Sequence, residues 1–389
     1  MIRIRFRDSN LNRKTIFRTC IPNMKIQNCL LRLAIPIFLF SCGREKENNH
    51  AETEDLLSQR SYFLIQAIMR PLVVGQEVTF SFELMDSTKI MDSLVYLMDE
   101  KKFGIHLNPG LEKREVKWIS TDNTVGKHTF KVTGFIKGIA KESATQSFYL
   151  KSDIVPESYS HQIFKTFPHD KQSFTQGLEW YKGKLYEGIG LNGKSAVLET
   201  DYITGKSVKK VELANEFFGE GITLHDNLLY QITWQNKKGF VYQLPDLKKV
   251  KEFSYSTDGW GLCFVNDELA MSDGTNNIYF LNPENFTQSH KIEVWDNKNP
   301  ISAINEMEMV DGRIWANKYQ TDTLLNIDPK TGKILGYADL SGILKDADKT
   351  GEEDVLNGIA YNPAEKLFYV TGKNWGKIFA IKLIKRKVI

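Results

Sequence analysis

The chain has 389 residues, of which 41% are hydrophobic, 25% charged and 12% aromatic. This composition is that of a folded globular protein long enough for about two or three domains. The formal net charge of +3 is spread along the chain without a basic block beyond the N-terminus, so nucleic acid is excluded as an expected partner.

The N-terminal residues have the features of an export signal followed by a tether. The apolar run at 33–40 follows basic residues and is too short to cross a bilayer. The motif "LFSC", which ends at Cys42, resembles the lipobox of bacterial lipoproteins, in which the cysteine carries lipid. We therefore expect a signal segment at 1–41 with its natural start at Met24, and a polar tether at 42–60.

This N-terminal pattern predicts an exported bacterial lipoprotein, periplasmic or on the cell surface. Its only contact with the membrane would be the lipid on Cys42. A buried apolar segment with a chance cysteine is the alternative interpretation.

Residues 61–152 contain short runs rich in β-branched and aromatic side chains, such as "EVTFSFELM" and "GKHTFKVTGFI". Turn residues separate these runs at intervals of about ten to fifteen residues, which is typical of a β-sandwich. We predict an immunoglobulin-like β-sandwich here. It shows no cluster of His, Cys or carboxylate residues at ligand spacing, so we expect a spacer or docking module.

From residue 156 to 389 the sequence repeats a hairpin pattern. The five repeats begin at Gly177, Gly221, Gly261, Glu306 and Gly358. Each has a strand, a turn through Asn, Asp, Gly or Pro, and a returning strand, mostly followed by a second strand pair. A period of about 40 to 50 residues with four strands indicates a propeller blade. The predicted fold is therefore all-β, with a five-bladed β-propeller after the sandwich.

A propeller has to be closed where its first and last blades meet, commonly by a strand from one terminus. The run at 159–167 is the candidate, and we expect it to pair with the blade that contains Gly358.

The repeat also predicts where functional side chains converge, because the innermost strand of each blade lines the central axis. The residues immediately before the five opening strands should ring one mouth of the channel: Gln176, Glu220, Trp260, Asn305 and Asn357. The returning strands bring Trp234 and Tyr319 to matching positions, with Lys373 nearly equivalent. Acid, base, carboxamides and indoles in one small cavity indicate a ligand site.

Glu220 is the residue that most strongly indicates a catalytic function. It stands between Gly219 and Gly221, and we expect these glycines to let the backbone bend and to keep side chains from crowding the carboxylate. Between Trp234 and Trp260 the carboxylate would lose hydration, which raises its pKa and suits it to proton transfer.

Several motifs together resemble those of the glutaminyl-peptide cyclotransferases of the plant-latex and bacterial type, which are five-bladed propellers. The motifs are "FTQG" at 174–177, "FGEG" at 218–221, "NEMEM" from Asn305, "WANKY", and "VTGKNW" with Lys373. The resemblance runs from about residue 158 to 385. It implies a catalytic set of Glu220, Lys373, Gln176 and Asn305. It also implies an aromatic substrate-binding set of Phe174, Phe218, Trp234, Trp260 and Tyr319.

Tyr319 departs from the family pattern. The family typically has a third tryptophan where "WANKY" ends in this tyrosine. The pocket would be slightly smaller and more polar on that side, which puts the substrate preference in doubt rather than the chemistry.

The resemblance implies that N-terminal glutamine of peptides or proteins is converted to pyroglutamate with release of ammonia. Glu220 would relay a proton, while Lys373 with Gln176 or Asn305 would stabilise charge on the carbonyl oxygen. The protein would act as a monomer and require no cofactor. A structural calcium ion remains an alternative.

Two other function classes remain as alternatives. A calcium-dependent lactonase-like hydrolase would use Glu220, Asn305 and Asn357 as oxygen ligands. A non-catalytic, lipid-anchored binding propeller would need only the aromatic pocket. No zinc motif or close pair occurs among the seven histidines, so no metal site is predicted.

Overall fold

β-Strands make up almost all regular structure in residues 63–85, 90–110 and 112–387, the parts of the chain that the computed structural model describes. Within these residues the only helical element is a 3₁₀ turn at Asp346–Asp348. The described chain contains no helix that is long and apolar enough to span a membrane. The predicted signal segment, the tether and Cys42 lie outside the described residues.

Two sheets form the N-terminal part of the described chain. Their strands are β1 (Phe63–Ile65), β2 (Leu72–Val73), β3 (Glu77–Leu84), β4 (Ser93–Met98), β5 (Lys101–Leu107), β6 (Arg114–Ile119), β7 (Gly126–Ile136) and β8 (Ile139–Lys151). The sheet orders are β1-β3-β6 and β2-β8-β7-β4-β5. Both sheets bury side chains in one core, where the rings of Phe80 and Phe130 stack 4.2 Å apart. The immunoglobulin-like topology stays a prediction.

The strand β9 (Glu157–Pro168) comes first in the propeller part of the chain, and the first three blades follow it in chain order. The first blade has β10 (Thr175–Tyr181), β11 (Lys184–Ile189), β12 (Ala196–Asp201) and β13 (Lys206–Glu212). The second has β14 (Gly219–His225), β15 (Leu228–Thr233), β16 (Lys238–Gln243) and β17 (Lys248–Ser254). The third has β18 (Leu262–Val265), β19 (Glu268–Ser272), β20 (Asn277–Leu281) and β21 (Gln288–Glu293).

The last two blades complete the ring. The fourth has β22 (Ile304–Val310), β23 (Arg313–Lys318), β24 (Thr323–Ile327) and β25 (Ile334–Asp339). The fifth has β26 (Leu356–Asn362), β27 (Leu367–Gly372) and β28 (Lys377–Lys385), with β9 as its outermost strand. The first strand of each blade contacts the first strands of both neighbours, and β10 contacts β26, which closes the circle. The predicted five-bladed, all-β propeller is confirmed.

Tight turns join the first two strands of the blades, as the Asn and Asp residues predict. Asp226 and Asn227 have φ values of 48° and 62°, and the equivalent Asn266 and Asp267 have 47° and 67°. Positive φ at both central residues defines the two-residue turn whose twist matches that of paired strands. Asn and Asp adopt this conformation more readily than other residues with a Cβ.

The predicted closure strand is also confirmed. β9 pairs antiparallel with the whole length of β28, from Pro168 opposite Lys377 to Tyr159 opposite Lys385. The start of β9 pairs parallel with β25, where Glu157 lies opposite Gly336. One strand therefore joins the fourth and fifth blades and ties the N-terminal end of the propeller to its C-terminal end.

A tryptophan from the propeller packs into the core of the N-terminal sheets. Trp295, between β21 and β22, is buried in that core and its ring lies 5.6 Å from the ring of Tyr149. Lys333 forms a 2.7 Å ion pair with Asp153 at the same junction. The N-terminal sheets therefore share apolar packing with the third and fourth blades.

Candidate active site

A cavity of about 310 Å³ opens at one end of the central axis. Its wall consists of nine residues: Phe174, Gln176, Phe218, Glu220, Trp234, Trp260, Asn305, Tyr319 and Lys373. The structure thus brings together every residue that the sequence nominated for catalysis or substrate binding, from all five blades. Their individual roles stay predictions. Asn357, the fifth member of the expected ring, is buried beside the cavity but is not part of its wall.

The cavity wall divides into polar and aromatic parts. The four polar residues are deeply buried, with exposed fractions between 2% for Asn305 and 6% for Glu220. The five aromatic residues are only half-buried. Polar groups at the inner end and rings towards the opening are the arrangement of a site that binds a small group and excludes water.

The aromatic rings contact one another in a nearly continuous series. Phe218 meets Phe174 edge-to-face at 6.2 Å and Trp234 at 5.7 Å between ring centroids. On the other side Trp260 meets Tyr319 at 5.3 Å. The Lys373 ammonium joins these two groups, because it lies 4.8 Å from the ring of Phe174 and 5.2 Å from that of Tyr319.

The backbone explains why the repeat predicted this convergence. The residue after the second strand of a blade donates its N–H to the residue at the entrance of the first strand. This bond joins Trp234 to Phe218 at 3.0 Å and Tyr319 to Ala303 at 2.8 Å. The matching bond, 3.0 Å long, runs from Lys373 to the Val355 carbonyl. Lys373 is therefore a full equivalent of Trp234 and Tyr319 rather than a near one.

The five residues predicted to surround the channel mouth differ from expectation in one respect. In four blades they lie inside the first strand, at a β-bulge, rather than before it. In β14 the pairing skips from Gly219 opposite Thr233 to Ile222 opposite Gln231, so that Glu220 is in the bulge. A bulge re-aims a side chain, and here the affected side chain lines the cavity.

The glycines beside Glu220 are required by neighbouring blades. A Cβ atom on Gly219 would lie 3.0 Å from the Ile189 carbonyl oxygen of the first blade. A Cβ on Gly221 would lie 2.6 Å from the Leu262 nitrogen of the third blade. The backbone bends as predicted, and backbone of an adjacent blade approaches each glycine, together with the Gln231 side chain at Gly219. Glu220 is therefore held in β14 between backbone of β11 in the first blade and of β18 in the third.

Burial changes the ionisation of both charged groups in the cavity. Loss of water raises the pKa of the Glu220 carboxyl well above its ordinary value; the Lys373 charge opposes this shift and the Asp258 charge adds to it. Burial lowers the pKa of Lys373, against the attraction of Glu220 and Asp354. Burial thus raises the pKa of the acid and lowers the pKa of the amine, which makes Glu220 a candidate for proton transfer.

The Glu220 and Lys373 side chains also lack hydrogen-bonding partners among the described residues. Neither side chain makes a hydrogen bond or a direct ion pair with another described residue, although both are more than nine-tenths buried. Buried polar groups are normally paired, and exceptions require an explanation. An acid and an amine that face an open cavity without partners are available to a bound ligand.

The sequence interpretation missed a structural carboxylate, Glu306. Its two carboxylate oxygens accept N–H bonds from Leu178 of the first blade at 3.1 Å and Ile359 of the fifth blade at 2.8 Å. Glu306 occupies the position at which the other four repeats have glycine, and that exception was the available signal. The residue links three inner strands across the axis.

A buried histidine at the blade seam was also missed. His169 Nδ1 lies 2.8 Å from the Trp375 carbonyl oxygen, and Nε2 lies 3.1 Å from Glu187 Oε1. Burial alone would lower the pKa of His169, but the charge and hydrogen bond of Glu187 outweigh it and raise the pKa. The pair joins the first and last blades behind Phe174 and is not in the cavity wall.

No group of three or more His, Cys, Asp or Glu side chains in the described chain is arranged to hold a metal ion. The oxygen-ligand set of the hydrolase alternative is also not assembled. Asn357 turns its amide NH₂ towards the Thr175 carbonyl and Gln176 rather than into the cavity.

The fold and the cavity define a five-bladed propeller with an axial acid–base site inside aromatic walls. The family model for glutamine cyclotransferase matches residues 128–383, and the chain belongs to this family. The resemblance stated from the motifs is confirmed.

Two known proteins illustrate the similarity. The glutaminyl-peptide cyclotransferase of Arabidopsis thaliana is 40% identical over 227 residues, which cover 57% of this chain and 71% of that protein. The crystal structure of Myxococcus xanthus glutaminyl cyclase aligns with a TM-score of 0.57 and 31% identity. It covers 60% of this chain and 100% of the Myxococcus chain.

Proposed function

We propose that this chain is a glutaminyl-peptide cyclotransferase, an aminoacyltransferase that converts N-terminal glutamine of peptides or proteins to pyroglutamate and releases ammonia. The observation that carries the proposal is the pair Glu220 and Lys373, buried in an aromatic cavity without hydrogen bonds to other described residues. Membership of the glutamine cyclotransferase family and the name of the Arabidopsis relative support the same activity.

The reaction forms one bond and breaks one. The α-amine of the substrate attacks the side-chain carboxamide carbon, the new C–N bond closes a five-membered lactam, and the carboxamide nitrogen leaves as ammonia. Nucleophile and electrophile belong to the same molecule, so the enzyme has mainly to hold the folded rotamer. The attacking nitrogen loses a proton and the leaving nitrogen gains one.

Glu220 serves as the proton relay in this scheme. Its carboxylate takes the proton from the attacking amine and its carboxyl returns it to the departing ammonia. The raised pKa of Glu220 supports this role, because a relay has to hold and release a proton near the working pH.

The other cavity residues stabilise charge and exclude water. The Lys373 ammonium, with an amide from Gln176 or Asn305, stabilises the negative charge that develops on the carboxamide oxygen. The rings of Phe174, Phe218, Trp234, Trp260 and Tyr319 enclose the flat carboxamide. The phenol of Tyr319 adjusts substrate preference on its side of the cavity.

The decisive experiment uses a glutaminyl-alanine dipeptide with excess chelator. We expect ammonia and the pyroglutamyl product in equal amounts, with rates independent of the chelator. Loss of all activity in chelator would support the calcium-dependent hydrolase instead. Binding of the dipeptide without product would support a non-catalytic binding propeller.

The cellular setting is proposed from sequence features alone. The "LFSC" motif and the polar tether after it support an exported bacterial lipoprotein, held to the membrane by lipid on Cys42. In this setting the enzyme acts as a monomer on peptides or proteins outside the cytoplasm.

A further inference from the structure

Asn357 is a completely buried amide beside the cavity. It lies in β26 at the bulge between Leu356, which is opposite Gly372, and Ile359, which is opposite Val370. Its Nδ2 atom is 3.0 Å from the Thr175 carbonyl oxygen and 3.1 Å from Gln176 Oε1. A residue of the last blade therefore contacts the polar side chain that the first blade contributes to the cavity.

These two contacts fix the orientation of both amides. The Thr175 carbonyl can only accept a hydrogen bond, so the Asn357 atom beside it has to be the NH₂ group. The second hydrogen of that NH₂ requires an acceptor, and Gln176 Oε1 is the atom within reach. Gln176 Nε2 is then the free end of its amide. The Thr175 backbone carbonyl thus determines which end of each amide is oxygen and which is nitrogen.

Gln176 consequently offers a donor to the cavity. Its Nε2 atom has no hydrogen-bond partner among the described residues, and the side chain lines the cavity. A donor stabilises an oxyanion, whereas the amide oxygen would repel one. Asn305 differs, because its side chain makes no hydrogen bond with a described residue that would fix the orientation of its amide. Of the two amides left open above, Gln176 is the one that the fold pre-orients.

We infer that Asn357 is a positioning residue that holds the Gln176 amide with its NH₂ towards the reacting carboxamide oxygen. This inference rests on the proposed cyclotransferase function. One further observation supports it: Asn357 Oδ1 is buried without a partner among the described residues. An unpaired buried oxygen is costly, so the position is explained by what its NH₂ end does rather than by packing.

The test compares two buried asparagines that use opposite ends of their amides. Asn357 uses its NH₂, whereas Asn317 in β23 uses its oxygen to accept the Gly358 N–H at 3.0 Å. Asn317→Asp keeps its acceptor. Asn357→Asp loses at least one of the two donated bonds, because even a protonated carboxyl has a single O–H, and the orientation of the Gln176 amide is then no longer fixed. We expect kcat on a glutaminyl dipeptide to fall about a hundredfold in Asn357→Asp, with KM nearly unchanged. We expect Asn317→Asp to stay close to wild type.

A double-mutant cycle separates positioning from a general structural effect. In a Gln176→Ala background Asn357→Asp should have no further effect on kcat, because the amide that it orients is absent. The inference would be overturned if Asn357→Asp lowered kcat by the same factor with Gln176 and with Ala at that position. It would also be overturned if Asn357→Asp had the kcat of the wild type. If Asn357→Asp does not fold, Asn357→Leu removes the same donors without a charge and is measured in the same cycle. An inactive wild-type protein would refute the proposed function itself, which is a different outcome from an active protein insensitive to Asn357.

Discussion

Replacement of Glu220 by glutamine isolates the proton relay from the shape of the site. The carboxyl is 94% shielded from solvent, being 6% exposed, and burial raises its pKa. Glutamine has nearly the same size and cannot transfer the proton. A positioned acid or base contributes about a hundredfold to ten-thousandfold in rate, or about 3 to 5 kcal/mol of activation free energy. We therefore expect Glu220→Gln to lower kcat at least about a hundredfold.

The fold should tolerate this substitution. The Glu220 side chain makes no hydrogen bond with a described residue, so the substitution breaks no such bond. Burial already favours the uncharged form of the carboxyl, and a carboxamide is also uncharged. We expect the melting temperature and the affinity for the dipeptide to stay close to those of the wild type.

The assay measures initial rates of ammonia release and of pyroglutamyl product over a range of dipeptide concentrations. Glu308→Gln is the matched control, because Glu308 is also a buried carboxyl on an inner strand but does not line the cavity. One Glu308 oxygen accepts the Tyr361 N–H at 3.0 Å, and a glutamine oxygen can accept the same bond. Turnover of the control should be close to wild type.

Two results would refute the reasoning. If Glu220→Gln retains more than a tenth of wild-type turnover, the carboxyl is not the relay. If Glu308→Gln loses as much turnover as Glu220→Gln, then neutralising any buried carboxyl near the axis impairs the enzyme. The loss of turnover in Glu220→Gln would then say nothing about proton transfer.

Three further predictions test other parts of the molecule. Lys373→Ala should lower turnover on the glutaminyl dipeptide about tenfold or more, because it removes a charge that stabilises the oxyanion, whereas Lys248→Ala on the exposed outer strand β17 should not; equal effects would contradict the assignment. A chain that begins at Phe174 lacks β9 and should be insoluble or much less stable in thermal unfolding, whereas one that begins at Val155 keeps β9 and should fold; equal stability would contradict closure by β9. Cys42→Ser should move the protein from the membrane to the soluble exported fraction in cell fractionation, and unchanged membrane association would contradict the lipoprotein proposal.

The convergence of the cavity residues was predictable because equivalent positions of successive repeats lie around one central axis in a propeller. Trp234, Tyr319 and Lys373 follow their second strands at equivalent points, and the same backbone bond to the entrance of the first strand holds each of them. The repeat therefore predicted convergence without any knowledge of packing. The closure by β9 was predicted from the general need to join the first and last blades of a propeller, and in the structure β9 completes a last blade that has only three strands of its own.

Contacts between blades and between domains were not predictable in this way. The bonds of Glu306 to Leu178 and Ile359 depend on which inner strands face each other across the axis, and no local pattern encodes that. The burial of Trp295 in the N-terminal core depends on how two parts of the chain pack. Sequence periodicity describes the elements, whereas these contacts arise from tertiary geometry.

The glycines beside Glu220 connect packing to chemistry. Because neither has a side chain, the first and third blades approach the second one closely on both sides of this carboxyl, and the inner end of the cavity closes. A closed inner end leaves little room for water, and loss of water is the largest cause of the raised pKa of Glu220. By contrast, Glu306 is equally buried but accepts two backbone N–H groups, so it is held as a structural link between blades. The sequence Gly-Glu-Gly therefore allows β11 and β18 to approach β14 closely, and the burial of Glu220 raises the pKa of its carboxyl.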